Sequence, residues 1–155
     1  MRAKPQPQNA PKKNLGEDHS EERLVRLMIR DRDTALAVLK IASASCFANE
    51  VCKKIVEAIQ RIFEKNAELN ISEITSAMEE EYVQQAYELF AADVETNDLM
   101  GEGVAYAKKV RQHARLRYIK ELQAQANQYI VQGKFGDPEC QRLLKKIESL
   151  KKEPN

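Results

Sequence analysis

The sequence predicts an all-α protein: a helical bundle, then a long helix leading into a C-terminal antiparallel helical hairpin. Three observations carry this. No Pro stands between Pro11 and Pro138 and no Gly between Gly16 and Gly101, and that stretch is rich in Ala, Leu, Glu, Lys and Gln, the good helix formers. No alternating strand pattern and no internal repeat is visible. Near the end of the chain Ile119, Leu122, Ala126 and Tyr129 recur at steps of three and four. The breaker run Gly133-Lys134-Phe135-Gly136-Asp137-Pro138 follows, and Cys140, Leu143, Ile147 and Leu150 then repeat the spacing. Two such seams joined by a short turn zip together antiparallel.

The elements follow in order. Pro5, Pro7 and Pro11, among Gln, Asn and Lys, make residues 1–19 a flexible Pro-rich linker or tail with no apolar area to bury. A first helix starts near Asp18 or Ser20, with Glu21 and Glu22 at its positive end, and buries Leu24, Leu27 and Met28. Asp31-Arg32-Asp33 is a break, and Asp33 or Thr34 caps a short second helix carrying Leu36, Leu39 and Ile41. The Ser43–Phe47 stretch is a connection. The third helix runs from about Asn49 to Lys65 with Val51, Ile55, Ile59 and Ile62 on one stripe and Phe63 beside it. Asn70 or Ser72 opens a fourth around Ile74 and Met78, and a fifth covers Glu80 to Ala92 with Tyr82, Ala86 and Phe90 inward. Asn97 or Asp98 caps the next, which Gly101 and Gly103 weaken near its start.

From Val104 to Gln132 nothing stops a single helix. Its 29 residues would span about 43 Å, beyond the roughly 30 Å of a small globule. The apolar stripe Ala107, Val110 and Ala114 gives way after Tyr118 to Leu122, Ala126 and Tyr129, rotated about the axis, and upstream of the second stripe stand Arg111 and Arg115. A change of buried face within one helix means that its halves pack against different things. Residues 20–115 therefore form the bundle and 116–152 the hairpin, with helices over about 104–132 and 138–152. At about 14 residues the closing helix is too short to stand alone in water and needs the seam or a partner.

Composition excludes several function classes. Lys plus Arg number 25 against 24 Asp plus Glu, a net charge of +1, so there is no global pull toward nucleic acid or membrane. The hydrophobic fraction of 43% with 6% aromatics and no Trp supports an aliphatic core. Three Cys at irregular spacing argue for a reducing cytoplasm rather than a disulfide framework. No apolar run approaches the roughly 18 residues of a membrane span, and no secretory signal is visible. Charge is segregated: from Asn66 to Gly103 ten acidic residues occur without Lys or Arg. The long helix then carries a basic surface of Lys108, Lys109, Arg111, Arg115, Arg117 and Lys120. Such a helix can track phosphates, or fold back on the acidic block as a solvated face.

Catalytic signatures are missing. Asp31-x-Asp33 lies between helices without a Gly-rich strand end, and Glu79-Glu80-Glu81 reads as a solvated helix start. His19 lies beside the tail and His113 on the polar side of the long helix, neither at ligand spacing from Cys or carboxylate. Cys46, Cys52 and Cys140 lack CxxC pairing and read as buried or semi-buried thiols. There is no phosphate-cradling loop.

The ordered runs Glu22-Arg23-Leu24-Val25-Arg26-Leu27-Met28, Arg30–Ala35, Glu57-Ala58-Ile59, Ala92-Asp93 with Asp98, Val104–Val110 and Arg142–Lys152 resemble the C-terminal helicase-binding domain of bacterial DNA primase, over about residues 20–152. The resemblance implies a bundle similar to the N-terminal domain of the replicative helicase, followed by a hairpin that docks on that helicase domain while the bundle modulates helicase activity. It implies that primer synthesis, zinc and magnesium belong to other domains of the parent primase, that nucleic acid is contacted mainly there, and that this chain is an isolated domain of a cytoplasmic replisome protein with no cofactor of its own. The helicase hexamer is the expected partner. Candidates for its contact are Ile130, Val131, Phe135, Leu143, Leu144, Ile147 and Leu150, with Ile119, Leu122, Ala126 and Tyr129 forming the seam. The rival readings are the helicase's own N-terminal domain, which would continue past the hairpin into a nucleotide-binding domain, a nucleic-acid-binding helical module, and an unrelated adaptor.

Overall fold

The computed structural model describes residues 15–153, and over them the chain is all-α. Seven helices follow one another: α1 (Leu15–Met28), α2 (Arg32–Ile41), α3 (Glu50–Glu64), α4 (Ile71–Ser76), α5 (Glu80–Ala91), α6 (Leu99–Val131) and α7 (Pro138–Lys152), with a 3₁₀ turn at Ala44–Cys46 between α2 and α3. Residues 1–14 of the expected 1–19 tail lie outside the described residues, whereas residues 15–19 are helical and belong to α1. α1 starts upstream of the expected Asp18 or Ser20, because Gly16 alone costs a helix only about 1 kcal/mol.

The caps explain the boundaries. Asp31, not Asp33 or Thr34, caps α2: its Oδ2 accepts from the Thr34 amide at 3.0 Å and the Thr34 hydroxyl at 2.8 Å. Asn49, Asn70 and Asp98 accept amides of Cys52, Glu73 and Gly101 and so open α3, α4 and α6.

The main core is aliphatic. It gathers Leu24, Val25 and Met28 of α1, Val38 of α2, Ile55, Val56, Ile59 and Ile62 of α3, Ile74, Ala86, and Ala107 with Val110 of α6. On α2 the buried face is Thr34, Ala35 and Val38; Leu36, expected inside, is 38% exposed. The rotation follows from α6, whose Gly103 comes so close that a Cβ there would stand 2.8 Å from the Thr34 methyl. Gly103 is thus a contact point rather than a weakness, and α6 begins at Leu99 behind the Asp98 cap, one of the two expected, and runs unbroken through both glycines.

Buried polar ties lock the bundle. Glu21 is only 1% exposed and accepts the Ala48 amide at 2.9 Å and the Asn49 amide at 2.8 Å. It therefore holds the entry of α3 instead of stabilising its own helix start. Burial raises its pKa, against the lowering effect of the two amides and of Arg117. Arg23 and Arg26 of α1 and Arg30 just past its end donate to the carbonyls of Glu95 (3.0 Å), Leu89 (2.8 Å) and Val94 (2.6 Å). Arg23 also pairs with Glu102. These guanidinium groups fasten the end of α5 and the connection to α6. Replacing Glu21 by Ala leaves two amides without an acceptor and is expected to cost about 1–3 kcal/mol in urea unfolding. The pH dependence has a definite sign. The unfolded chain releases this proton at its ordinary pKa of 4.5, before the folded one does. Stability attributable to Glu21 therefore falls as pH rises from that value through the raised folded one, and the variant loses that slope.

Candidate docking hairpin

At 33 residues, α6 extends for about 50 Å. Its first half packs on α1 and α2 and its second half on α7; among the described elements it does not pack on α4 or α5. The fold-back of the basic helix onto the acidic block is therefore not what forms, because those two helices cover α3 instead. Acidic-block residues pair elsewhere: Glu79 with Lys54 of α3 at 2.9 Å, and Glu102 with Arg23.

The hairpin has its own core of Ile119, Leu122, Ala126, Leu143, Ile147 and Leu150, with Tyr129 and Leu144 packed against it, separate from the bundle core. Cys140 is fully buried beside it. At 100° per residue the buried face of α6 turns by roughly 120° between Ala107–Val110 and Ile119–Ala126. The turn between α6 and α7 is built by its residues. Gly133 takes φ 75°, which an L side chain rarely adopts. Its amide bonds the Ile130 carbonyl at 3.0 Å and the Lys134 amide bonds that of Tyr129 at 2.8 Å, a Schellman closure of α6. Asp137 then caps α7 through the Glu139 amide at 2.8 Å, with Pro138 in the first helical turn.

The expected contact residues divide. Leu143, Ile147 and Leu150 are in the seam and are corrected from partner contacts to hairpin core. Leu144 is half-buried against that core. Ile130 (42% exposed), Val131 (84%) and Phe135 (57%) stand out at the tip. A large apolar group exposed in this way is what a partner pocket takes. The tip also has a sign: residues 116–152 carry eight Lys or Arg against four Asp or Glu, whereas residues 20–115 carry thirteen against seventeen. The hairpin is a basic arm on an acidic body.

At its root the arm is bolted down. Arg117 donates to the Cys46 carbonyl at 2.8 Å, next to the turn that Glu21 holds, and Arg115 donates to the Glu153 carbonyl at 3.2 Å, at the C-terminal end of α7. Of the other basic-surface residues, Lys108, Arg111 and Lys120 are exposed, and Lys109 lies 5.2 Å over the Tyr106 ring. Sequence reading missed the Arg23–Arg26–Arg30 row and the Glu21 clamp; the i, i+3, i+7 spacing of the arginines is their only trace. Asp31 and Glu79 serve as a cap and an ion-pair partner. The His113 Nδ1, expected on the polar side, is buried without a hydrogen-bond partner. Cys52 and Cys140 are buried and Cys46 half-buried; burial, then nearby carboxylates, push the Cys52 pKa up, away from the reactive thiolate. Among the described residues no group of three His, Cys, Asp or Glu is placed to hold a metal ion, and no helix is long and apolar enough to cross a membrane.

Bundle, long helix and hairpin together define an all-α fold with two separate apolar cores. The chain is similar in structure to the N-terminal domain of the DnaB helicase from Mycobacterium tuberculosis, with a TM-score of 0.70, 15% sequence identity, and coverage of 92% of this chain and 99% of that one. At that identity the likeness shows the fold: a helical bundle of the helicase N-terminal type. No family model and no curated protein matches the sequence.

Proposed function

We propose that this chain is a protein-docking domain of the bacterial replication machinery, acting in the cytoplasm at the contact between replicative helicase and primase. The observation that carries it is the end-to-end likeness to a helicase N-terminal domain, hairpin included. The likeness favours reading the chain as such a helicase domain. A second reading, the helicase-binding domain of primase, rests on the ordered runs Glu22–Ala35, Val104–Val110 and Arg142–Lys152 and on the helicase-like bundle and hairpin that this resemblance implies. The two readings describe one contact from its two sides, and both give the work to the hairpin tip. Neither assigns catalysis or a cofactor to this segment.

Docking in this form works by tethering. Holding one enzyme on another raises its local concentration by orders of magnitude without improving any contact to its substrate. Ile130, Val131 and Phe135 supply the apolar anchors and the basic flank steers the approach to an acidic partner surface. Mixing the chain separately with a purified replicative helicase ring and with a primase helicase-binding domain tests this. Capture by primase's domain fits the helicase reading, capture by the ring fits the primase reading, and capture by neither sinks both.

A further inference from the structure

We propose that the face of α6 between the bundle and the hairpin binds single-stranded DNA, with phosphates on Lys108, Arg111 and Arg115 and a base on Tyr118. This site is separate from the docking tip. At 100° per residue, positions 108, 111, 115 and 118 share one face of α6, the same face that carries Leu122 of the hairpin seam farther along. α7 covers that face only as far as its own end at Leu150 and Glu153. Beyond that end the face borders two depressions that meet at Arg111 and Arg115. One, of about 80 Å³, has Ile41 and Lys108 on its walls. The other, of about 440 Å³, has Cys46, Tyr118 and Leu150.

The cations are stepped along the axis by about 4.5 and 6 Å, the scale of an extended nucleotide backbone. Lys108 and Arg111 are exposed, and Arg115 lines the groove while donating to Glu153. Tyr118, 43% exposed, offers a ring at the end of the cationic row. A basic track ending on an aromatic face is how proteins hold single strands without reading sequence. An acidic peptide would use the cations but has no need of the ring. Glu121 and Glu153 line the hairpin side of the larger groove and keep the phosphate path on the Lys108 side.

The test is fluorescence anisotropy of a labelled oligo(dT) of about 20 nucleotides titrated with the whole chain. Three phosphate contacts give a log K against log salt slope of about −2. Lys108→Glu with Arg111→Glu lowers affinity at least about tenfold, and Lys145→Glu with Lys146→Glu, on the outer face of α7, less than about threefold. Tyr118→Ala weakens binding about fivefold or more, and Tyr118→Phe restores it. Circular dichroism checks that each variant is folded; if the double Glu variant is not, Lys108→Gln with Arg111→Gln replaces it. The proposal is overturned if no binding occurs at low salt or if the two double variants lose affinity equally. It is also overturned if polyglutamate displaces the strand as readily as unlabelled oligo(dT).

Discussion

Leu143→Ala will open the hairpin and leave the bundle folded. Leu143 is 1% exposed and sits at the centre of a core of six buried residues that shares no member with the bundle core. Truncating a buried Leu costs about 2–5 kcal/mol. Here that cost falls on a small core and on a closing helix of 15 residues, which has little stability of its own. Native-state hydrogen exchange is the measurement. Amides of α7 and of α6 beyond Ile119 lose protection, while those of α3, around Ile55 and Ile59, keep theirs. A uniform loss over both parts would show that the two cores unfold as one.

Val131→Asp combined with Phe135→Asp will abolish docking without unfolding anything. Both side chains are mostly in solvent, so the folded state loses little apolar burial. A partner that seats them would have to bury two carboxylates, a penalty of several kcal/mol. An affinity loss beyond about 30-fold is expected, about 2 kcal/mol, with unchanged circular dichroism. Leu144 makes a poorer probe, because it packs against the hairpin core and its replacement disturbs fold and contact together.

What the sequence made legible follows the physics of periodicity. The seam pattern is legible, since Ile119, Leu122 and Ala126 and, across the turn, Leu143, Ile147 and Leu150 follow helical spacing, but spacing alone also left the last three as candidate partner contacts, which their burial corrects. The turn is legible for the same kind of reason: Gly133 and Pro138 have few other uses. The burial of α2 is not legible, because it depends on Gly103 lying 65 residues beyond Val38, and small residues at a close crossing leave no hydrophobic signal. Glu21 reads as a favourable charge at a helix start, yet its partners are amides 27 and 28 residues away. The contact residues blur for another reason. Core and surface apolar residues alternate along α7 and the end of α6, and only the packed hairpin tells Leu143 from Val131.

The most direct measurement is a calorimetric titration of the chain into a replicative helicase ring and, separately, into the helicase-binding domain of primase. Saturable binding to one of the two is expected, lost in the Val131→Asp, Phe135→Asp variant and weakened by salt as the basic arm requires. The absence of heat with either partner, or binding that the tip variant leaves unchanged, would contradict docking through the hairpin.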